Sequence, residues 1–154
     1  MAIYLFDSSA MVKRYSNETG TAWVRSLVDP ASGNRIYLAR ITEVEVVSAI
    51  SRQARKGSIS ATDATNVITR FCADFAGQYQ IVEINAALTR QAVQQAQKHF
   101  LRGYDAVQLA AALQVHSECL ALGITSFGLI SADIDLNTAA TAEGLMVDDP
   151  NNHP

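Results

Sequence analysis

Short strand-like runs alternate with longer helix-patterned stretches along the whole chain, and this rhythm limits the fold more than any other feature. The runs are residues 3–6, 35–39, 81–84 and 127–131, with a weaker fifth at 145–147. Parallel strands need crossover connections, usually helical, so strand–helix–strand alternation predicts a mainly parallel sheet with helices on its faces. The expected architecture is an α/β single domain, with a central sheet of four to five strands, over residues 1–147. Residues 148–154 are polar and are expected to fray.

The helices carry their own signals. Ser60 precedes the stripe Ala64, Val67, Ile68, Phe71 and Phe75, and Asn85 precedes Leu88, Ala92, Ala96 and Phe100 at four-residue steps. Thr42 opens a helix to about residue 56, closed by Gly57, and Thr42 with Glu45 fits the S/T-x-x-E capping box. Residues 104 to about 119 form a buried Ala- and Leu-rich helix, and residues 133–143 form a last one before Gly144. The two helices between the second and third strands exceed what a plain crossover needs, so a clip, a lid or a dimer surface is expected there.

Composition excludes several classes. With 49% hydrophobic and 18% charged residues in 154, the chain is globular rather than disordered. No apolar run approaches the eighteen or so residues of a membrane span, and the N-terminus lacks the layout of a signal peptide. The expectation is a cytoplasmic protein with no membrane partner. Cys72 and Cys119 lack metal-ligand spacing and read as buried free thiols; His99, His116 and His153 also show none, which argues against structural zinc. A net charge of −3 counts against a simple duplex binder. It leaves room for an enzyme that meets nucleic acid through a divalent cation, because the ion reverses the local field.

The positions of the acids are more informative than their number. Ligands of parallel α/β sheets bind beyond the carboxyl ends of the strands. Asp7 directly follows the first strand and Asp133 follows a late one, so both belong to that edge. Asp105 is the one acid of an Ala-rich helix start, where the helix dipole alone would favour it. Glu45 stands among Val44, Val46 and Val47, where its carboxylate is partly desolvated and something must compensate. Gathered carboxylates repel one another and raise one another's pKa, and a divalent cation removes that repulsion. Mg²⁺ or Mn²⁺ takes oxygen ligands and keeps several waters, so two or three carboxylates suffice for a site that hydrolyses phosphodiesters. Ser8 and Ser131, beside Asp7 and Asp133, are either turn residues or orienting groups.

Four segments together resemble PIN-domain ribonucleases, specifically the VapC toxins of bacterial toxin–antitoxin pairs. They are residues 4–15, followed by Glu18 and Gly20; residues 41–50; residues 103–112; and residues 130–136, followed by Ala139, Ala140, Gly144 and Leu145. Each is weak alone, but they occur in the family's order over nearly the whole chain. The resemblance implies a PIN-like fold and a Mg²⁺-dependent endoribonuclease, with Mn²⁺ as an alternative ion. It puts Asp7, Glu45, Asp105 and Asp133 in the acidic catalytic positions, with Asp7 and Asp105 as metal ligands, Asp133 and Glu45 completing the pocket, and Asp135 as an outer member. It further implies an RNA substrate, a cognate VapB-like antitoxin and a homodimer. Lys13, Arg14, Arg40, Arg52, Arg55, Lys56 and Arg102 are candidates for guiding RNA, and Arg52, Arg55 and Lys56 are the best group because they share a helical face.

Other strand-end acid chemistries fit less well. A response-regulator receiver needs adjacent acids after the first strand and a late lysine, but one acid is present and no lysine follows Lys98. A haloacid-dehalogenase-type phosphatase needs a second Asp where Ser9 stands. No glycine-rich nucleotide loop follows a strand. The alternative from another class is a PIN-like module that binds protein or RNA without catalysis.

Overall fold

In a computed structural model that describes residues 1–154, five strands form one parallel sheet: β1 (Ile3–Phe6), β2 (Arg35–Ala39), β3 (Gln80–Val82), β4 (Phe127–Ile130) and β5 (Val147–Asp148). Their order is β3-β2-β1-β4-β5, with β1 in the centre. Registers such as Leu5 opposite Tyr37 and Leu129 run parallel on both sides of β1. The strands are joined by α1 (Ser8–Tyr15), α2 (Thr21–Val28), α3 (Ile41–Arg55), α4 (Ala61–Gly77), α5 (Ala86–His99), α6 (Gly103–Ala121) and α7 (Ile134–Ala142).

Alternating residues on each strand divide the interior into two cores, because successive strand side chains point to opposite faces. Ile3, Leu5, Phe127 and Leu129 face α5, α6 and α7, where they meet Leu88, Leu109 and Leu136. Phe6, Leu38 and Ile130 face α1 to α4, where they meet Met11, Val24, Ile50 and Phe71. The α3–α4 pair expected to act as a clip or lid is thus part of the core: Val46, Ile50, Ala64, Phe71 and Phe75 are buried under one face of the sheet. Fully burying each large side chain contributes about 1.5–3 kcal/mol.

Several boundaries differ from the sequence expectation for local reasons. The third strand stops at Val82, and Glu83 turns out to pair with Arg40. The fifth strand begins later than residue 145, because Leu145 still closes α7: its N–H donates to the Ala140 carbonyl, and Gly144 takes φ +84°. Arg40, rather than Thr42, stands at the N-cap of α3, so no capping box forms there. Thr42 is buried, and its hydroxyl accepts from Gln108. Helix α5 ends at His99, and Phe100 leaves the apolar stripe in a left-handed conformation, 93% exposed.

The tail expected to fray is docked. Asp148 pairs in β5, and Pro150 is buried against Gly20, whose φ of +85° and missing Cβ admit the Pro150 carbonyl. Asn151 Oδ1 accepts from the buried Lys13 ammonium at 3.0 Å. The His153 ring stacks on Trp23 with centroids 3.9 Å apart. Both cysteines are free, Cys119 buried and Cys72 half-buried. No helix is long and apolar enough to cross a membrane.

Candidate active site

The carboxyl edge of the sheet gathers the acids. Where β1 ends, Asp7 takes extended geometry and caps α1, accepting from the Ala10 N–H at 3.0 Å. Its own N–H donates to the Ile130 carbonyl of the neighbouring strand. Capping is therefore one role of Asp7, but it occupies a fraction of its acceptor capacity. Ser131, just beyond β4, donates to Asp7 Oδ2 at 3.0 Å and accepts from the Asp133 N–H at 3.1 Å. The Ser9 hydroxyl lies 2.7 and 2.8 Å from the two Asp7 oxygens and accepts from the Ala132 N–H. Asp133 repeats the pattern of Asp7, capping α7 by accepting from the Leu136 N–H at 2.8 Å.

Glu45 reaches the same edge from the second turn of α3. Ser8 donates to its Oε2 at 3.0 Å, and Gln108 Nε2 donates to its Oε1 at 3.0 Å. Gln108 is one turn after Asp105 in α6 and is buried; the same Nε2 also donates to Thr42 Oγ1 at 2.9 Å. Because a carboxylate only accepts, the Gln108 amide must turn its nitrogen toward Glu45, and its Oε1 finds no donor in the protein. Asn137 of α7 likewise donates to the Ser131 carbonyl while its own Oδ1 has no donor.

Electrostatics ties the four acids together. Burial is the main cause that raises the Asp7 carboxyl from 3.8 to about 7; bonds from Ser9, Ala10 and Ser131 oppose the rise, and the charge of Glu45 adds to it. Half-buried Asp105 rises to about 6, first through desolvation, then through the charges of Asp133 and Glu45, with Arg102 opposing and Asp135 adding to it. Two carboxyls that retain protons near neutrality mark a place short of positive charge.

Beside Ser8 and Glu45 opens a cavity of about 340 Å³, lined also by Ser9, Val12, Ile41, Tyr104 and Arg52. Of the basic group anticipated from spacing, Arg52 lines this cavity, whereas Arg55 and Lys56 are exposed beyond it at the end of α3. Lys13 is held by Thr19, Glu18 and Asn151. Arg14 is held by Gln78, Tyr79 and Asp74, and Arg40 by Glu43 and Glu83. Ser9, Thr42, Gln108 and Asn137 were not anticipated. Ser9 had a signal as the neighbour of a strand-end acid, whereas Thr42 and Gln108 meet across a long sequence separation and Asn137 acts on the Ser131 carbonyl six residues before it.

The donor set suits a hard divalent cation. The Ser9 hydroxyl has one proton and serves one Asp7 oxygen at a time, so Asp7 retains acceptor capacity beyond its three donors. Asp105 makes no hydrogen bond or ion pair through its carboxyl and stands among like charges. No group of three or more His, Cys, Asp and Glu side chains is gathered tightly enough to hold an ion. Mg²⁺ does not require such a group, because it is commonly held by one or two carboxylates with water completing its shell.

Comparisons with known proteins agree with the fold. A family model described as PIN domain matches residues 4–142. Ribonuclease VapC49 of Mycobacterium tuberculosis is 31% identical over 147 residues, which cover 96% of this chain and 95% of that protein. A toxin–antitoxin complex from Klebsiella pneumoniae contains a chain of the same fold, with a TM-score of 0.62 at 20% identity, covering 96% of this chain and 97% of that one. Mycobacterium tuberculosis VapC20, described as a sarcin-ricin loop cleaving toxin, also has a TM-score of 0.62, at 15% identity, covering 98% of this chain and 99% of that one.

Proposed function

Since the chain belongs to the PIN-domain family, with a VapC ribonuclease as a full-length relative, we propose that it is a metal-dependent endoribonuclease and the toxin of a toxin–antitoxin pair. The observation that supports this reading is the nearness of the acids at one sheet edge, where the charge of Glu45 acts on both Asp7 and Asp105 and that of Asp133 on Asp105. Asp7 and Asp105 would hold the cation, Mg²⁺ or Mn²⁺, with Glu45 and Asp133 alongside. Bound there, the ion supplies Lewis acidity for water activation and neutralises phosphate charge.

The chain's own groups prepare the site. Ser9, Ser131 and the Ala10 N–H fix the Asp7 carboxylate and favour its ionised form. Ser8 and Gln108 tether Glu45 at both oxygens, so its negative charge is aimed rather than free to rotate. Arg52 offers a guanidinium to an RNA phosphate at the mouth of the cavity. Asp135 is an outer acid that adds to the field on Asp105. The partners in this reading are an RNA substrate, a VapB-like antitoxin that covers the acidic edge, and a second copy of the chain.

Purified protein incubated with RNA and Mg²⁺ tests the proposal. Internal cleavage that stops on chelation, and that falls by about a hundredfold or more in Asp105→Asn, is expected. A folded wild-type protein that leaves diverse RNAs intact with Mg²⁺ and with Mn²⁺ would reject it.

A further inference from the structure

Phe100 is an aromatic residue whose conformation folding does not explain. By spacing it continues the buried stripe of α5, yet it lies outside the helix and is 93% exposed. Its φ of 56° makes it the one non-glycine residue with positive φ, all the others being glycines. A bulky side chain is strained there, and glycine is the usual solution at a helix end. The ring thus buries little apolar surface while costing backbone strain, and strain of this kind concentrates at functional sites.

The surroundings of the ring indicate what it meets. Phe100 lines a cavity with His99, Asp135, Thr138 and Ala139. Asp135 links that cavity to the acidic edge, since its charge is felt by Asp105. Glu143 fixes the end of α5, accepting from Lys98 at 2.5 Å and pairing with His99 at 2.6 Å. Lys98 remains largely exposed, and Arg102, two residues beyond Phe100, is exposed as well. Basic residues flanking an open ring are the combination that holds single-stranded nucleic acid. Inside the cavity Asp135 would repel a phosphate, but a nucleobase is uncharged and has a π-face for the ring. One ring with mostly polar neighbours makes a poor apolar patch for a protein.

From this we infer that Phe100 is a stacking platform for an unpaired base of single-stranded RNA, beside the nucleotide presented to the acidic edge, with Arg102 on an adjoining phosphate. The inference rests on the nuclease reading and adds how substrate is positioned.

RNA binding by Phe100→Gly, Phe100→Leu and Phe100→Trp, each combined with Asp7→Asn to prevent cleavage, tests it. The probe is a short single-stranded RNA with a fluorescent purine analogue whose emission is quenched on stacking. The Gly and Leu variants should bind about fivefold to a hundredfold more weakly and lose the quench, while Trp retains both. Phe100→Gly should melt no lower than its parent, because glycine relieves the strained φ. Gly and Leu variants that bind and quench like the parent would overturn the inference. So would a Gly variant that keeps RNA affinity but loses self-association or antitoxin binding, since the ring would then belong to a protein interface. If wild type cleaves RNA and Phe100→Gly alone cleaves identically, only the platform fails; if wild type neither binds nor cleaves RNA, the nuclease reading fails with it.

Discussion

Asp7 combines a cap with a carboxyl whose charge is costly where it stands. It caps α1, which any ionised or neutral Asp or Asn can do, and it is buried among acids, which disfavours its charge. Its folded carboxyl titrates near 7 against an ordinary 3.8, so between these values the folded protein binds more protons than the unfolded chain. Metal-free protein must therefore lose stability as pH rises through this window, by up to about 1.4 kcal/mol per pH unit, and the loss levels off above about 7. Asp7→Asn removes the titration and keeps the cap. In thermal melts under chelation it should exceed wild type above about pH 7, and the difference should close toward the ordinary carboxylate value. Ser9 acts in the opposite sense, because its bond is the largest factor lowering the Asp7 pKa. Ser9→Ala should move the acidic limb of the cleavage pH profile to higher pH and reduce cleavage near neutrality by about tenfold.

At the level of elements, strand ends and helix starts carry the candidate acids, and this is why the acids were legible in the sequence while their hydrogen-bond partners were not. Asp7 and Asp133 stand where an apolar run stops, a position that can be read without coordinates. Gln108 meets Thr42 and Glu45 across separations of more than sixty residues, and no local pattern marks such a meeting. Thr42 even gave a misleading local signal, since its capping-box spacing exists but α3 starts earlier and buries the hydroxyl. Phe100 shows the same limit in reverse: the period continues where the helix does not. The tail misled through composition, as its polar residues are held by one ion-bearing lysine, one ring stack and one glycine gap. Gly20→Ala should therefore lower the melting temperature, with a destabilisation of about 1–3 kcal/mol from the positive φ and the Pro150 overlap together. Removing residues 149–154 from both proteins should leave a smaller difference, reflecting the φ contribution alone.

Across the whole molecule, an acidic chain that acts on a polyanion needs positive charge at the point of contact. The net charge is −3, and of the basic candidates for guiding RNA, Lys13, Arg14 and Arg40 already have partners within the protein. The two cores pack α1, α3, α6 and α7 against the sheet, and Asp7 and Asp133 follow the carboxyl ends of its neighbouring strands β1 and β4. Titration of the purified chain with Mn²⁺, followed by the loss of the free-ion paramagnetic signal, reads most directly whether these carboxylates form one cation site. Wild type should bind the ion, Asp7→Asn and Asp105→Asn should each weaken binding by about tenfold or more, and Lys56→Ala should bind as wild type does. Equal Mn²⁺ affinity in wild type and both acid variants would contradict a cation site at this edge.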